Sequence, residues 1–218
     1  GGSAANIAAG LAKQGNAVDL FSPISDDSIG NFVINSCKHI GINTELLIKV
    51  ANSKNTLAIV DSMGEKTKAV LYRDNPADIY LNESYLEKVD LDSYGLIIVT
   101  GTSLSRNPSR KTVLYLMELG IKRKIEIILD IDYRQGSWDD KVEAEKVLYS
   151  AAMLSNIVVG NDLEFNFMSS SKDNGLVLAS EMSKKHNIIT IYKMGSEGLY
   201  YFHNHNKKFL NSFKVDSI

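Results

Sequence analysis

The chain has 218 residues, of which 44% are hydrophobic and 23% charged, as expected for a globular protein of one large domain or two small ones. Its 24 lysines and arginines against 26 aspartates and glutamates give a net charge of −2, which excludes a general attraction to nucleic acid or to an anionic membrane. No stretch approaches the roughly 18 apolar residues that cross a bilayer. We therefore expect no nucleic-acid partner and no membrane. The single cysteine, Cys37, favours a reducing, cytoplasmic setting.

The first third of the chain predicts two helices, a strand between them and a β-hairpin. Ser3 is the expected cap of the first helix, and Gly15 and Gly41 are the expected ends of the two helices. The Met63-Gly64-Glu65 turn joins the two strands of the hairpin. The elements are expected at residues 3–15 (helix), 17–24 (strand), 28–40 (helix), 56–62 and 67–72 (hairpin).

From residue 96 onward, short apolar strands alternate with amphipathic helices. The strands are expected at 96–99, 125–131, 157–159 and 188–192, the helices after Pro108 and at 139–154, 163–168 and 175–186, and a closing hairpin at 199–202 with 208–213. This alternation predicts a mainly parallel sheet with helices on both faces. In such sheets ligands bind beyond the carboxyl ends of the strands, so we expect functional residues in the loops after these strands.

The loop after the second of these strands is dense in functional groups. Residues Asp130 to Trp138 contain three acidic or basic side chains within the first five positions and the only tryptophan of the chain. Arg134 can hold a carboxylate or a phosphate with two parallel hydrogen bonds, or it can pair with Asp130 or Asp132 and fix the loop. The residues alone leave both alternatives open.

Three further segments are suited to phosphate or to a helix cap. Asn161 and Glu164 have the spacing of a capping box, which is the interpretation that the spacing alone favours. The Gly195-x-x-Gly198 turn exposes backbone amides that can approach a phosphate. Gly1-Gly2 precedes a helix, where free amides favour an anionic ligand; the alternative is close packing of that helix on a sheet.

Taken together and in order, these motifs resemble the ribokinase-like (PfkB) family of sugar kinases over the whole chain. Gly1-Gly2-x-x-x-Asn6 resembles the family's first signature, and Asp26-Asp27-Ser28-Ile29-Gly30 its following turn-helix motif, with Ser25 where glycine is usual. Asn161-x-x-Glu164 is similar to its magnesium and phosphate motif, and Gly195-x-x-Gly198 to its nucleotide loop. The resemblance implies a ribokinase-like, Rossmann-type three-layer α/β/α fold with a mainly parallel sheet and a small β lid, inserted at about residues 46–75.

Two segments resemble kinases of acidic or keto-deoxy sugars within this family: Leu71 to Asp78 and Asp130-x-Asp132-Tyr133-Arg134-x-x-x-Trp138. The related 2-dehydro-3-deoxygluconate kinases carry asparagine where this chain has Asp132, which favours 5-dehydro-2-deoxygluconate, a compound of inositol catabolism, as the substrate. The alternatives are 2-dehydro-3-deoxygluconate, fructose or ribose as the substrate. From a different class comes a non-catalytic sugar-binding or dimerisation module.

The resemblance implies ATP-dependent phosphorylation of a primary sugar hydroxyl, with ATP and Mg²⁺ as cofactors and a monovalent cation left open. A homodimer formed through the lid is the expected protein partner. The implied roles fall into three groups: sugar contacts at Gly1, Gly2, Asn6, Tyr72, Arg73 and Arg134; Mg²⁺ and phosphate at Asn161 and at Glu164, the latter acting on the metal through water; and the nucleotide at Lys193, Gly195 and Gly198.

One departure from the family pattern concerns the catalytic base. The second family signature, Gly-Ala-Gly-Asp, supplies amides that bind the developing negative charge and the aspartate that takes the hydroxyl proton. It is expected directly after Ile218, and a first strand is expected before Gly1. We therefore expect residues 1–218 to form an incomplete kinase domain without the base, and to be inactive alone.

Overall fold

The computed structural model describes residues 2–61, 68–169 and 174–214. The chain divides into two compact units, one formed by Gly1–Val89 with Asn107–Ser109 and the other by Asp90–Arg106 with Arg110–Ile218. None of the helices within the described ranges combines the length and the apolar character that crossing a membrane requires.

The first unit contains two helices and two small pairs of strands. Its elements are α1 (Ser3–Lys13), β1 (Ser22–Ser25), α2 (Ser28–Ile40), β2 (Leu47–Val50), β3 (Leu57–Asp61) and β4 (Lys68–Tyr72). Strands β1 and β2 pair in parallel, whereas β3 and β4 pair antiparallel. The predicted hairpin strands are therefore confirmed, and the Met63-Gly64-Glu65 turn lies outside the described residues.

Two details of the first unit differ from the sequence predictions. Ser3 is the first residue of α1 and not its cap; the N-cap is Gly2, whose φ of 82° suits glycine, and no side chain caps the helix. The strand predicted at 17–24 is confined to Ser22–Ser25. The strand is shorter because the segment that leads into β2 makes a turn, in which the amide of Leu47 donates to the carbonyl of Thr44. Before Ser22, the described residues form an isolated bridge between Asp19 and Asn43.

Helix α2 begins and ends as predicted. The Asp27 carboxylate caps it by accepting a hydrogen bond from the amide of Gly30 at 2.9 Å, and Gly41 ends it in the left-handed conformation with φ of 92°. Cys37 is 5% exposed and packs in a small apolar cluster with Ala8 and Ile42. Cys37 is therefore a free cysteine buried in an apolar cluster.

The second part of the chain forms a six-stranded sheet with helices between its parallel strands. The elements are β5 (Leu96–Thr100), α3 (Ser109–Lys122), β6 (Glu126–Asp130), α4 (Lys141–Met153), β7 (Ile157–Asn161), α5 (Asp162–Met168), α6 (Gly175–His186), β8 (Ile189–Lys193), β9 (Leu199–His203) and β10 (Asn206–Leu210). The strand order is β10-β9-β8-β7-β6-β5. Strands β5 to β8 are parallel, and β9 and β10 add an antiparallel edge.

The core of the second unit lies between the central strands and the helices. Ile127 and Leu129 of β6 and Val158 of β7 are fully buried, as expected for central strands of a parallel sheet. Small and aliphatic residues of α4 pack there too, including Ala144 and Leu148. The core fixes the sheet, and the parallel direction of β5 to β8 brings four strand ends to one edge.

Candidate active site

Four polar residues lie at this common edge, each at or just beyond the end of a strand. Asp130 ends β6, Asn161 ends β7 and Lys193 ends β8, while Asp132 follows Asp130 in the next loop. The Lys193 ammonium lies 3.9 Å from a carboxylate oxygen of Asp130. The structure thus brings Asn161 and Lys193, predicted from separate motifs, to neighbouring strand ends.

Asn161 and Glu164 form the predicted capping box at the start of α5. The Glu164 amide donates to the Asn161 side-chain oxygen at 2.8 Å, and the Asn161 amide donates to Glu164 Oε2 at 2.8 Å. Glu164 is only 7% exposed. Burial raises the pKa of its carboxyl; the Asn161 amide opposes this change, and the charges of Asp130 and Asp132 add to it.

The same electrostatic pattern holds for Asp130. Burial raises its pKa, the nearby Lys193 lowers it, and the charge of Asp132 raises it further. Both carboxyl groups therefore lie where additional positive charge is favourable.

The donor set at the strand ends fits Mg²⁺ held mainly through water. Carboxylate oxygens are the hard ligands that Mg²⁺ prefers, and this ion keeps several of its waters in proteins. Within the described ranges, no three or more His, Cys, Asp or Glu side chains are grouped closely enough to hold a metal by themselves. The described side chains therefore do not form a complete set of metal ligands by themselves. Glu164 can contribute by orienting a water molecule bound to the metal.

Arg134 is tied to one of its two predicted partners. Its Nη2 lies 2.9 Å from Asp132 Oδ1, and the Thr102 hydroxyl donates to Asp132 Oδ2 at 3.1 Å. The Asp132 side chain is 4% exposed, whereas the Arg134 side chain is 60% exposed. Arg134 thus pairs with Asp132 of its own loop, as one of the two alternatives predicted. Most of the Arg134 side chain still faces solvent.

The Gly195-x-x-Gly198 segment forms a tight turn after β8. Gly195 begins a 3₁₀ turn with φ of 57°, and Gly198 has φ of 114°. A Cβ atom at Gly198 would lie 2.2 Å from the Leu210 carbonyl oxygen, whereas one at Gly195 would meet none of the described residues within 4 Å. Gly198 is thus required by the approach of β10, and the backbone at Gly195 is open to a ligand.

In the first unit, Arg73 is engaged at the base of the hairpin. Its two terminal nitrogens contact the two Asp78 carboxylate oxygens at 2.6 and 2.9 Å, and Nη1 also donates to the Thr56 hydroxyl at 3.0 Å. The Arg73 side chain is 17% exposed. This guanidinium already holds a carboxylate of its own chain. The predicted contact between Arg73 and a sugar stays a prediction.

The other predicted sugar residues of the first unit lie at two places. Gly2 and Asn6 occupy the start of α1, where the Asn6 amide donates the first helical hydrogen bond to the Gly2 carbonyl at 3.1 Å, and Asn6 is exposed. Tyr72 is the last residue of β4 and is 58% exposed. Gly1 lies outside the described residues.

Sequence reasoning missed the side chains that support Arg73, Asp132 and Tyr133. Asp78 was named only as the last residue of the Leu71 to Asp78 segment, with no role, and Thr102 belonged to no motif. Their contacts depend on where the chain folds back in space. Tyr133 stacks on Phe167 of α5, with ring centroids 3.7 Å apart and 14° between the planes. An aromatic residue in each of two strand-end segments was the only sequence signal for this contact.

Comparison with known proteins places the chain in a family. The family model described as pfkB family carbohydrate kinase matches residues 1–218 of this chain. A 5-dehydro-2-deoxygluconokinase of Clostridium tetani is 33% identical over 209 residues, covering 91% of this chain and 60% of the relative. One of Mesomycoplasma hyopneumoniae is 34% identical over 170 residues, covering 78% and 50%. The chain thus spans about half to three fifths of the length of these relatives.

Solved structures share the fold. A PfkB protein from Polaromonas has a TM-score of 0.87 at 18% identity, covering 97% of this chain and 72% of that one. A Vibrio cholerae fructokinase with bound fructose, ADP and calcium has a TM-score of 0.86 at 18% identity, covering 99% and 70%. The fold is therefore ribokinase-like α/β, as predicted, and the chain belongs to the PfkB family of carbohydrate kinases.

Proposed function

We propose that the complete protein transfers the γ-phosphoryl group of ATP to a primary hydroxyl of 5-dehydro-2-deoxygluconate, in the cytoplasm and as a step of inositol catabolism. The observation that supports phosphoryl transfer most is the group at the strand ends, where buried Glu164, bonded to Asn161, lies near Asp130 and Lys193. The relatives named 5-dehydro-2-deoxygluconokinase, 30 to 34% identical to this chain, support the choice of sugar.

The strand-end residues suit the phosphate side of this reaction. Phosphoryl transfer depends on positioning and on neutralising charge, with little covalent work for the protein. We assign Lys193 to the nucleotide phosphates, and the turn of Gly195 and Gly198, with its open backbone at Gly195, to their border. Glu164 and Asn161 would hold Mg²⁺ through water, and that ion, when bound, supplies charge neutralisation at the transferred phosphoryl group.

The sugar side of the proposal rests on Arg134 and on four residues of the first third of the chain. Arg134 carries five N–H donors, and its exposed guanidinium can bind the acid group of the sugar while one nitrogen stays on Asp132. Gly1, Gly2, Asn6 and Tyr72 are the proposed hydroxyl contacts. Arg73 is committed to Asp78, so we propose that it shapes the sugar site by fixing the neighbouring Tyr72.

The test is ATP consumption by the complete protein with a panel of sugars. The panel contains 5-dehydro-2-deoxygluconate, 2-dehydro-3-deoxygluconate, fructose and ribose, and residues 1–218 are assayed alongside. Turnover of the first sugar by the complete protein alone supports the substrate and the prediction that the base follows Ile218. Turnover of another sugar replaces the substrate, and turnover by residues 1–218 refutes the predicted position of the base.

Two variants separate the sugar side from the phosphate side. Arg134→Ala should raise KM for the acidic sugar by about tenfold, since one charged hydrogen bond is lost, and should leave KM for ATP unchanged. Glu164→Gln should lower kcat and weaken the dependence on Mg²⁺. If neither variant affects turnover, the strand-end group is not the active site; sugar binding without turnover would favour the non-catalytic module.

We also propose a homodimer formed through the β3–β4 hairpin. Its strands expose apolar side chains, and the cross-strand pairs Leu57 with Tyr72 and Ile59 with Val70 share one face. These four side chains are 45 to 59% exposed, which is unusual for a group of large apolar residues in a monomer. Ile59→Glu should convert the dimer to a monomer in light scattering, and a monomeric parent protein would refute the proposal.

A further inference from the structure

We propose that Asp132 is a positioning residue, whose buried carboxylate holds the Arg134 guanidinium at the strand ends in the orientation that binds the acid group of the substrate. The identity of the substrate rests on the proposed function. The positioning itself rests on the geometry of the loop after β6.

The Asp132 carboxylate is held from two sides. Oδ1 contacts Arg134 Nη2 at 2.9 Å, and Oδ2 accepts the Thr102 hydroxyl at 3.1 Å. With a separate donor on each oxygen, the carboxylate plane is fixed, and Arg134 meets an acceptor in one defined direction. A side chain as exposed as Arg134 would otherwise sample many rotamers, so this contact selects one of them.

The backbone at Asp132 is unusual and is supported on both sides. Its φ of 35° lies in the left-handed region, which non-glycine residues adopt only where surrounding contacts maintain it. Before it, the Ile131 amide donates to the Val159 carbonyl at 2.9 Å. After it, Tyr133 stacks on Phe167 of α5. These two contacts hold the loop on both sides of Asp132.

The loop after β5, which carries Thr102, lies directly against the loop after β6. A Cβ atom at Gly101 would lie 1.9 Å from the Ile131 carbonyl oxygen, so the loops after β5 and β6 are in backbone contact there. Thr102 therefore reaches Asp132 from a fixed position.

The charge of Asp132 argues against a purely structural role. It is a third carboxylate near Asp130 and Glu164, and its charge raises the pKa of both. A neutral hydrogen-bond acceptor would hold Thr102 without that repulsion. The feature that needs a negative charge at this position is the Arg134 guanidinium.

The test uses Asp132→Asn in the complete protein. Asparagine has the same shape but one neutral acceptor oxygen in place of two charged ones. If that oxygen accepts the Thr102 hydroxyl, the amide nitrogen faces Arg134 with a donor, and if the amide is turned round, the contact to Arg134 remains but is neutral; in either orientation the charge-assisted contact to Arg134 is lost. Asp92→Asn is the matched control, because Asp92 pairs with Arg123 at 3.2 Å in an exposed ion pair of the same unit. Two properties are measured: the Arg134 Nη–H signal in nuclear magnetic resonance without ligand, because Nη2 makes the contact, and calorimetric binding of 5-dehydro-2-deoxygluconate without ATP.

We expect Asp132→Asn to shift the Arg134 signal to the position of a free arginine and to weaken sugar binding about fivefold. In an Arg134→Ala background, the same change should alter binding by less than about twofold, because Asp132 acts through Arg134. Asp92→Asn should change neither property.

An unchanged Arg134 signal in Asp132→Asn, or an equal loss of binding in the Arg134→Ala background, would overturn the positioning role. If the signal shifts as expected but the parent protein does not bind the acidic sugar, the proposed substrate fails and the positioning of Arg134 stands.

Discussion

The ion pair between Arg73 and Asp78 predicts an asymmetric response to the loss of either partner. Arg73 is mostly buried, with 17% of its side chain exposed, whereas 45% of the Asp78 side chain is exposed. Among the described residues, removing Asp78 leaves a buried guanidinium with the Thr56 hydroxyl as its one remaining side-chain acceptor. Removing Arg73 leaves a carboxylate that water already reaches.

The expected magnitudes follow from this difference in exposure. Asp78→Ala should lower the free energy of unfolding by about 2 kcal/mol, between the effects of breaking an exposed and a fully buried ion pair. Arg73→Met, which keeps the apolar stem, should lower it by about 1 kcal/mol, because the remaining carboxylate can be hydrated.

The assay is urea unfolding followed by circular dichroism. Asp74→Asn is the control, since its pair with Lys54 is exposed, with 66% of the Lys54 and 85% of the Asp74 side chain accessible, and its loss should cost less than about 0.5 kcal/mol. If Arg73→Met destabilises as much as Asp78→Ala or more, the reasoning from burial is refuted. If neither variant changes stability, Arg73 is free for a ligand after all.

Two further predictions concern the second unit. Gly101→Ala should lower the free energy of unfolding by about 3 kcal/mol, since its Cβ would meet the Ile131 carbonyl. Gly136→Ala is the control: a Cβ there meets none of the described residues within 4 Å, so the change should stay within about 0.5 kcal/mol in the same urea assay. Equal effects of the two substitutions would contradict the close contact at Gly101. Burial raises the pKa of Glu164 above its ordinary 4.5, so the folded chain binds this proton more tightly than the unfolded chain, and stability should fall as pH rises from about 4.5 through the folded pKa. Glu164→Gln keeps the cap acceptor and removes the charge. The free energy of unfolding of this variant, relative to that of the parent, should therefore increase from about pH 5 to about pH 8. A difference that stays constant with pH would contradict the raised pKa of Glu164.

Elements set by local sequence were predicted well. Helix α6 has the predicted bounds Gly175–His186, and the central strands match within two residues, because apolar runs between polar turns define both. The strand predicted at 17–24 was too long, since its pairing depends on a turn near Thr44 in the partner segment. Closing strand β10 covers Asn206–Leu210, whereas residues 208–213 were predicted. Its bounds follow from the tight hairpin with β9, in which Asn206 lies opposite His203 and Leu210 opposite Leu199.

The same division applies to the site. The capping box of Asn161 and Glu164 was predicted because its two hydrogen bonds join residues three apart. The partner of Arg134 was left open between Asp130 and Asp132, because these carboxylates lie two residues apart on one segment. The contacts decide between them: Lys193 lies near Asp130, whereas Arg134 contacts Asp132 in the loop after the strand.

The charges at the strand ends argue that nucleotide and metal bind together. Asp130, Asp132 and Glu164 carry three negative charges when ionised, against two positive charges from Lys193 and Arg134, and Asp132 already holds Arg134. An anionic triphosphate alone would meet an excess of negative charge here. Burial is the main cause of the raised pKa values of Asp130 and Glu164, and the charge of Asp132 adds to both. A divalent cation removes the repulsion for the carboxylates and the phosphates at once. The carboxylates of this chain therefore favour a phosphate that arrives with its metal over one that arrives without it.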